Sequence, residues 1–148
     1  MKLSTKGRYG LRAILEIALN QHKGPVPIHI IAEHQNLSSR YLEQLLIPLK
    51  QNGLVKSVRG SQGGYILGRE ADKITAGDII RVLEGPISPV DCVSEVNPDE
   101  CDRADFCVTR QIWYKLRDSM NQVLDSYSLE ELRKEASQMP RAAINIDD

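Results

Sequence analysis

Two short amphipathic segments separated by a brief polar turn constrain the fold of this chain more than any other feature. Apolar residues recur at helical spacing over 28–35 and again over 39–52, where leucines form the stripe. Asn36 can adopt the left-handed conformation that ends a helix, and Ser38 can cap the next one. Two short helices joined by such a turn form a helix-turn-helix, so the sequence predicts one here.

A glycine-rich turn follows the second helix and is flanked by two short apolar runs. Residues 54–58 and 65–67 have the character of strands, and the turn between them begins with Arg59 and Gly60. A two-stranded hairpin is unstable alone, so this one must pack on the helices. The sequence therefore predicts a winged helix-turn-helix: a mainly α fold with a small β-hairpin wing.

The remaining segments predict four more helices, three of them before residue 128. One is expected from about residue 5 to residue 20, and another begins at a capping box formed by Thr75 and Asp78. A third, long and amphipathic, is expected over 109–127. Its apolar stripe exceeds what the small domain can cover, which predicts dimerisation through this helix; the alternative is packing against its own domain.

These segments divide the chain into four parts. A short helix is expected to begin at a capping box formed by Ser128 and Glu131, and little periodicity is present between 85 and 108. The predicted parts are a winged helix-turn-helix DNA-binding domain at 1–84, a cysteine-containing loop at 85–108, a dimerisation helix and C-terminal helix at 109–138, and a flexible tail at 139–148.

Charge is divided unevenly along the chain, although the total is only −1. Residues 1–60 contain nine Lys and Arg against three Asp and Glu, a net of +6, and residues 61–148 contain ten against seventeen, a net of −7. A basic front half predicts binding to a polyanion. Lys2, Lys6 and Arg8 crowd the start of the first helix, where cations oppose the helix dipole. We therefore expect a compensating anion from outside that helix, such as a DNA phosphate.

The composition predicts a globular cytoplasmic protein with no membrane partner. Apolar residues make up 41% and charged residues 26%, as in ordinary globular chains. No apolar run approaches the roughly 20 residues that a bilayer span requires, and the N-terminal MKLSTKGRYG lacks the apolar region of a signal peptide. Thiols stay reduced in the cytoplasm.

The second helix of a helix-turn-helix enters the major groove of DNA and contacts base edges with its N-terminal residues. Arginine can bind guanine, glutamine can bind adenine, and glutamate can accept from cytosine. An arginine at the tip of the wing suits the narrow minor groove, where negative potential is concentrated. The residues predicted to contact DNA are Lys6, Ser38, Ser39, Arg40, Tyr41, Glu43, Gln44, Arg59 and Gly60.

All three cysteines, Cys92, Cys101 and Cys107, lie in the aperiodic loop with the spacing C-x8-C-x5-C. An odd number argues against a simple disulfide framework, and thiolates suit zinc and iron–sulfur clusters. Structural zinc sites favour short C-x2–4-C pairs, which are absent, so an iron–sulfur cluster is the favoured cofactor. Three thiolates leave a fourth ligand open, and acidic residues surround the loop.

Two other functional classes are less consistent with the sequence. An enzyme with a cysteine nucleophile would need a base, and the three histidines all lie in the other half of the chain. The chain also has no phosphate-binding loop or recognisable acid–base pair. An iron–sulfur carrier protein would not need the basic helix-turn-helix with its wing. The sequence predicts a non-enzymatic regulator.

Three stretches carry a resemblance to a known family: LSTKGRYGLRA, LSSRYLEQLLIPLKQNGLVKSVRGSQGGYILG and ITAGDIIRVLEGP. Together they resemble the IscR, NsrR and CymR family of bacterial winged-helix transcription regulators, over residues 1–132. The resemblance implies a homodimer with crossed long C-terminal helices, bound to a palindromic operator on double-stranded DNA. It also implies that Cys92, Cys101 and Cys107 bind a cluster, most simply [2Fe–2S], that Glu43 biases operator choice, and that Arg59 enters the minor groove.

The chain departs from this pattern in three places. Arg110 stands where the IscR type has a histidine ligand, Arg8 stands where the NsrR type has an aspartate ligand, and eight residues instead of five separate the first two cysteines. The segment EGPISPV is similar to the CymR type, which lacks the three-cysteine loop. The resemblance implies a regulator that senses iron–sulfur cluster status and controls cluster biogenesis. The alternative is a CymR-like repressor of cysteine metabolism gated by thiol oxidation or a partner protein.

Overall fold

The computed structural model describes residues 2–139, so the end of the predicted tail, 140–148, lies outside the described residues. Six helices and one antiparallel hairpin follow each other along this part of the chain, as the sequence predicts. Boundaries agree with the predicted ones to within about two residues. The elements are α1 (Thr5–Asn20), α2 (Ile28–Gln35), α3 (Ser39–Gln51), β1 (Val55–Val58), β2 (Gly64–Leu67), α4 (Ala76–Glu84), α5 (Arg110–Asp125) and α6 (Leu129–Gln138).

The turn between α2 and α3 forms by the predicted local chemistry. Asn36 adopts φ 52° and ψ 49°, the left-handed conformation that closes α2. The Ser38 hydroxyl accepts a hydrogen bond from the backbone amide of Tyr41 at 3.1 Å and so caps α3. The helix-turn-helix predicted from the sequence is confirmed.

The hairpin pairs β1 with β2 in antiparallel register, from Val55 opposite Leu67 to Val58 opposite Gly64. Backbone hydrogen bonds of 2.8 and 2.9 Å between Val26 and Tyr65 join the wing to the chain before α2. A Cβ at Gly64 would lie 2.4 Å from the Val26 backbone, so this contact requires glycine. The wing therefore packs on the helices rather than standing alone.

An aliphatic core lies between α1, α2, α3, α4 and the start of α6. Burial of branched aliphatic side chains is the main stabilising contribution in a domain this poor in aromatic residues. Leu129 is fully buried, so the start of α6 packs into the DNA-binding domain although it follows α5 in the chain. The largest fully buried side chains are Ile14, Ile17, Ile31, Leu42, Leu45, Leu46, Leu49, Leu54, Ile74, Ile79, Ile80 and Leu129.

Helix α5 stands apart from this core. Within the described chain none of its residues is buried, and its apolar positions Ile112, Leu116 and Val123 remain exposed. Its contacts with the domain run mainly through α4. None of the helices between residues 2 and 139 combines the length and the apolar character needed to cross a membrane.

Candidate DNA-binding surface and cysteine loop

The predicted DNA-contacting residues lie on exposed or half-buried positions of three neighbouring elements. The exposed side chains of Glu43 and Gln44 lie one turn beyond the α3 cap, and Arg59 and Gly60 form the exposed tip of the wing. Gly60 has φ 116°, which favours glycine, and its carbonyl closes the turn by accepting from Gly63 at 3.0 Å. Lys6, Ser38 and Arg40 are exposed, whereas Ser39 and Tyr41 are half-buried.

An aromatic cluster joins the start of α3 to α1. The Tyr41 hydroxyl donates to Thr5 Oγ1 at 3.3 Å, and its ring meets that of Tyr9 edge-on with centroids 6.2 Å apart. Guanidinium carbons of Arg8 and Arg12 lie 5.9 and 5.5 Å from the Tyr9 centroid. Thr5 and Tyr9 thus position Tyr41, a predicted DNA-contacting residue. The sequence did not indicate this because both contact Tyr41 across 32 or more positions of chain.

Tyr65 is a third residue near the predicted DNA-binding surface that the sequence did not indicate. Burial raises the pKa of its phenol, and the negative charge of Glu43 raises that pKa further. The carboxylate of Glu43 on α3 is therefore electrostatically coupled to a neutral phenol on the wing strand β2. The proximity of Tyr65 to Glu43 depends on the hairpin, whose register places Tyr65 opposite Ser57.

The anion expected at the start of α1 comes from the protein itself. Glu84, the last residue of α4, accepts hydrogen bonds from the Ser4 hydroxyl at 2.5 Å and from the Gly7 amide at 3.1 Å. A carboxylate at a helix N-terminus offsets the helix dipole, as a phosphate would. The expectation of an outside anion is met by Glu84, and no DNA phosphate is needed for it.

The cysteines occupy three different settings on the loop between α4 and α5. Cys92 is half-buried in a short 3-10 turn, Asp91–Val93; Cys101 is exposed; and Cys107 is half-buried just before α5. All three are free thiols. Among residues 2–139, the structure brings together no group of three or more His, Cys, Asp or Glu side chains that could hold a metal ion. The loop thus supplies three donors without gathering them.

Local hydrogen bonding distinguishes Cys107 from the other two cysteines. Cys107 Sγ lies 3.2 Å from the Thr109 hydroxyl. This contact lowers the pKa of the Cys107 thiol, and a hydrogen bond from the backbone amide of Arg110 lowers it further. The thiolate is the form that binds metals and reacts with oxidants.

Two arginines of α5 hold the segment that carries Cys92. Arg110 Nη2 donates to the Cys92 carbonyl at 3.0 Å, and Arg117 Nη1 donates to the Val93 carbonyl at 2.9 Å. Both guanidinium groups lie near the Tyr114 ring, 5.2 and 5.0 Å from its centroid. Arg110 therefore binds the backbone of a cysteine where the IscR type has a ligand. As donors, three thiols fit an iron–sulfur cluster, and Cys101 is the most exposed of the three.

A helix-turn-helix with a packed wing, an exposed basic face and an appended long helix defines a winged-helix transcription regulator. The Rrf2 family, described as an iron-dependent transcriptional regulator, matches residues 3–135. This chain belongs to the Rrf2 family.

Relatives named CymR and relatives named IscR both match this chain. The transcriptional regulator CymR of Bacillus subtilis is 52% identical over 132 residues, which cover 89% of each chain. Its solved structure, titled as that of the global cysteine regulator, has a TM-score of 0.75 and covers 91% of this chain and 98% of that one, at 53% identity. The regulator IscR of Xenorhabdus nematophila is 42% identical, covering 90% of this chain and 80% of its own. The structure of T. potens IscR has a TM-score of 0.76 and 46% identity, and the match covers 95% of this chain and 93% of that one.

Proposed function

We propose that this transcription regulator binds a palindromic operator as a homodimer and that an iron–sulfur cluster on its cysteine loop sets its affinity. The observation that carries the proposal is the loop itself. Three free thiols lie between α4 and α5, and Cys107, next to the first turn of α5, has a lowered pKa. The proposed target genes are those of iron–sulfur cluster biogenesis, and the proposed site of action is the cytoplasm.

The proposed ligands are Cys92, Cys101 and Cys107, with a fourth ligand from the acidic residues nearby or from solvent. A bound cluster, most simply [2Fe–2S], would link the three thiolates to one another. Oxidation or iron depletion would break this link. Arg110 holds Cys92 against the start of α5 before any ligand binds. Thr109 stabilises the thiolate of Cys107 at the same place. Both Cys92 and Cys107 are thus held at the start of α5 by contacts of their own, and binding a cluster would require Cys101 to approach them.

A second copy of the chain is the proposed partner of α5. An apolar groove of about 540 Å³ lies between α4 and α5, and its lining includes Leu3, Ile80, Met120, Val123 and Leu124. The exposed apolar residues of α5 continue from this groove along the helix. An exposed apolar face of this kind is typical of a protein–protein interface. Two helices crossing here would place two recognition helices on one duplex, consistent with a palindromic site.

The second candidate is a repressor gated by thiol oxidation or by a partner protein. Two observations favour it: the 52% identity to CymR, and the hydrogen bonding that lowers the pKa of the Cys107 thiol. A third class, an iron–sulfur carrier, has the same cysteines but does not account for the exposed helix-turn-helix.

Anaerobic purification distinguishes these candidates. Absorption and Mössbauer spectra of the wild type and of each Cys→Ala variant should show a cluster in the wild type and its loss in all three variants. The matched control is Ser94→Ala, a substitution at another position of the same loop, and this variant should retain the cluster. Wild-type protein that stays colourless and iron-free after iron and sulfide are supplied contradicts cluster sensing and leaves the thiol-gated repressor. Cluster-loaded protein that binds no duplex at low salt would favour the carrier.

A further inference from the structure

Helix α4 makes polar contacts with two different helices, one turn apart. Arg81 donates to both carboxylate oxygens of Asp125 on α5, at 2.8 and 2.7 Å, and to Asn121 Oδ1 at 2.6 Å. Glu84 accepts from Ser4 and Gly7 at the start of α1. The side chains that tie α4 to α5 and to α1 are therefore separated by only three residues of one rigid helix.

Glycines make both contacts possible. A Cβ at Gly7 would lie 2.7 Å from Glu84 Oε1, and a Cβ at Gly77 would lie 1.9 Å from Asp125 Oδ1. Gly7 and Gly77 lie in the first turns of α1 and α4, where any larger side chain would displace the carboxylate that each of them faces. Both sites are helical positions where no positive φ explains the glycine.

The contact at α1 continues to the recognition helix. Gly7 is the third residue of α1, and its amide has no acceptor within the helix, so Glu84 supplies one from outside. Two residues before Gly7, the hydroxyl of Thr5 accepts from Tyr41 at the start of α3. An unbroken series of hydrogen bonds and helices thus runs from α5 through Arg81 and Glu84 to the DNA-reading end of α3.

We infer that Glu84 is a positioning residue for DNA recognition, and that α4 transmits the position of α5 to Tyr41 through it. Glu84 holds the first turn of α1, which in turn holds the hydroxyl of Tyr41. Arg81 ties the same helix to α5, the element that follows the cysteine loop. The inference rests on the DNA-binding surface described above and is independent of what the cysteine loop binds.

The test compares two substitutions that remove the same charge. Glu84→Gln keeps an acceptor oxygen for Ser4 and Gly7, and Glu84→Leu does not. The probe is a fluorescein-labelled 30-bp duplex selected by the wild type from a random pool, with a scrambled duplex of equal composition as reference. The readout is the ratio of the two dissociation constants, measured on protein with and without iron. We expect Glu84→Gln to stay within about twofold of wild type and Glu84→Leu to lose about five- to tenfold in this ratio.

Two further variants keep the test decisive if Glu84→Leu folds poorly. Gly7→Ala displaces the carboxylate while alanine favours the helix, so it should lose the same preference without loss of helical circular dichroism. Glu70→Leu removes an exposed ion pair with Lys73 elsewhere and should change nothing. In a double-mutant cycle, Glu84→Leu and Tyr41→Phe should be non-additive, because they act on one contact series.

The outcomes separate this inference from the proposed function. A purely structural cap would lower the melting temperature of Glu84→Leu and leave its operator preference equal to that of Glu84→Gln, which overturns the inference. Equal preference in Gly7→Ala and wild type overturns it as well. A wild type that selects no duplex overturns both the inference and the regulator function. A wild type that selects DNA equally with and without iron overturns cluster sensing alone.

Discussion

Arg110, the first residue of α5, donates a hydrogen bond to the carbonyl of Cys92 at 3.0 Å, across 18 positions of chain. Its Nε atom is buried and has no hydrogen-bond partner among residues 2–139. A buried donor left unpaired is costly, so the guanidinium must gain from its other contacts, the carbonyl and the Tyr114 ring. The start of the long helix and the first cysteine of the loop therefore behave as one unit.

Replacing Arg110 by alanine should release the segment around Cys92. A hydrogen bond from a charged group contributes about 1.5–3 kcal/mol when well desolvated, and this half-buried one should contribute about 1 kcal/mol. Hydrogen exchange of the segment 91–95 should then be about fivefold faster, as mass spectrometry can measure. Arg103→Ala, at an exposed position of the same loop, is the control and should leave 91–95 unchanged. Equal exchange in both variants would mean that Arg110 does not hold the loop.

Glu43 should restrict which operators are bound. Its exposed carboxylate on α3 repels phosphate and can accept from cytosine, so Glu43→Ala should bind a wider range of sequences. One good base contact contributes about 1–3 kcal/mol of discrimination, so the preferred site should lose about tenfold in selectivity. Sequencing of duplexes selected from a random pool measures this directly. An unchanged sequence profile in the variant would remove the role proposed for Glu43.

Arg59 should contribute most where the minor groove is narrow. Its side chain is exposed at the tip of the wing, next to a glycine that lets the backbone approach the duplex. Arg59→Ala should therefore weaken binding more when the flanks of the operator are A·T-rich than when they are G·C-rich. Lys56→Ala, at an exposed position of β1, should weaken both equally through lost phosphate attraction. Equal losses for Arg59→Ala on both flanks would show that Arg59 contacts only phosphate.

The ion pair between Arg81 and Asp125 predicts a pH dependence of stability. The hydrogen bond from Arg81 lowers the pKa of Asp125, so the carboxylate is ionised in the folded state to lower pH than in the unfolded chain. Its stabilisation is complete above the unfolded pKa, near 4, and is lost as the pH falls through the folded pKa. The side chains are 33% and 45% exposed, so the contribution should stay below about 1 kcal/mol. Asp125→Asn should lower stability at pH 7 and converge with wild type below the folded pKa, as urea titrations at several pH values can measure.

The fold was predictable because its signals are local. The conformation of Asn36, the cap at Ser38 and the capping boxes at Thr75 and Ser128 depend on residues within one helical turn, and all four are present. The wing followed from a glycine-rich turn between two apolar runs.

The supports of the candidate site were not predictable in this way. Glu84 reaches Gly7 across 77 positions, and Tyr65 lies near Glu43 only because the hairpin folds back on α3. The cysteines were predicted as ligands from residue type and spacing, whereas their distances from one another depend on how the loop packs. The sequence showed only that Arg110 replaces a histidine of the IscR type. Its hydrogen bond to Cys92 could not be predicted because it depends on the path of the loop.

The occupant of the cysteine loop is proposed to set the affinity for DNA, and fluorescence anisotropy of a labelled duplex measures that affinity. Wild-type protein reconstituted anaerobically with iron and sulfide, and the same protein after chelation, are titrated into one selected duplex at one salt concentration. The two forms should have dissociation constants that differ at least fivefold, which corresponds to a coupling of about 1 kcal/mol or more. Identical dissociation constants for the two forms on every selected duplex would show that the occupant of the loop does not set the affinity.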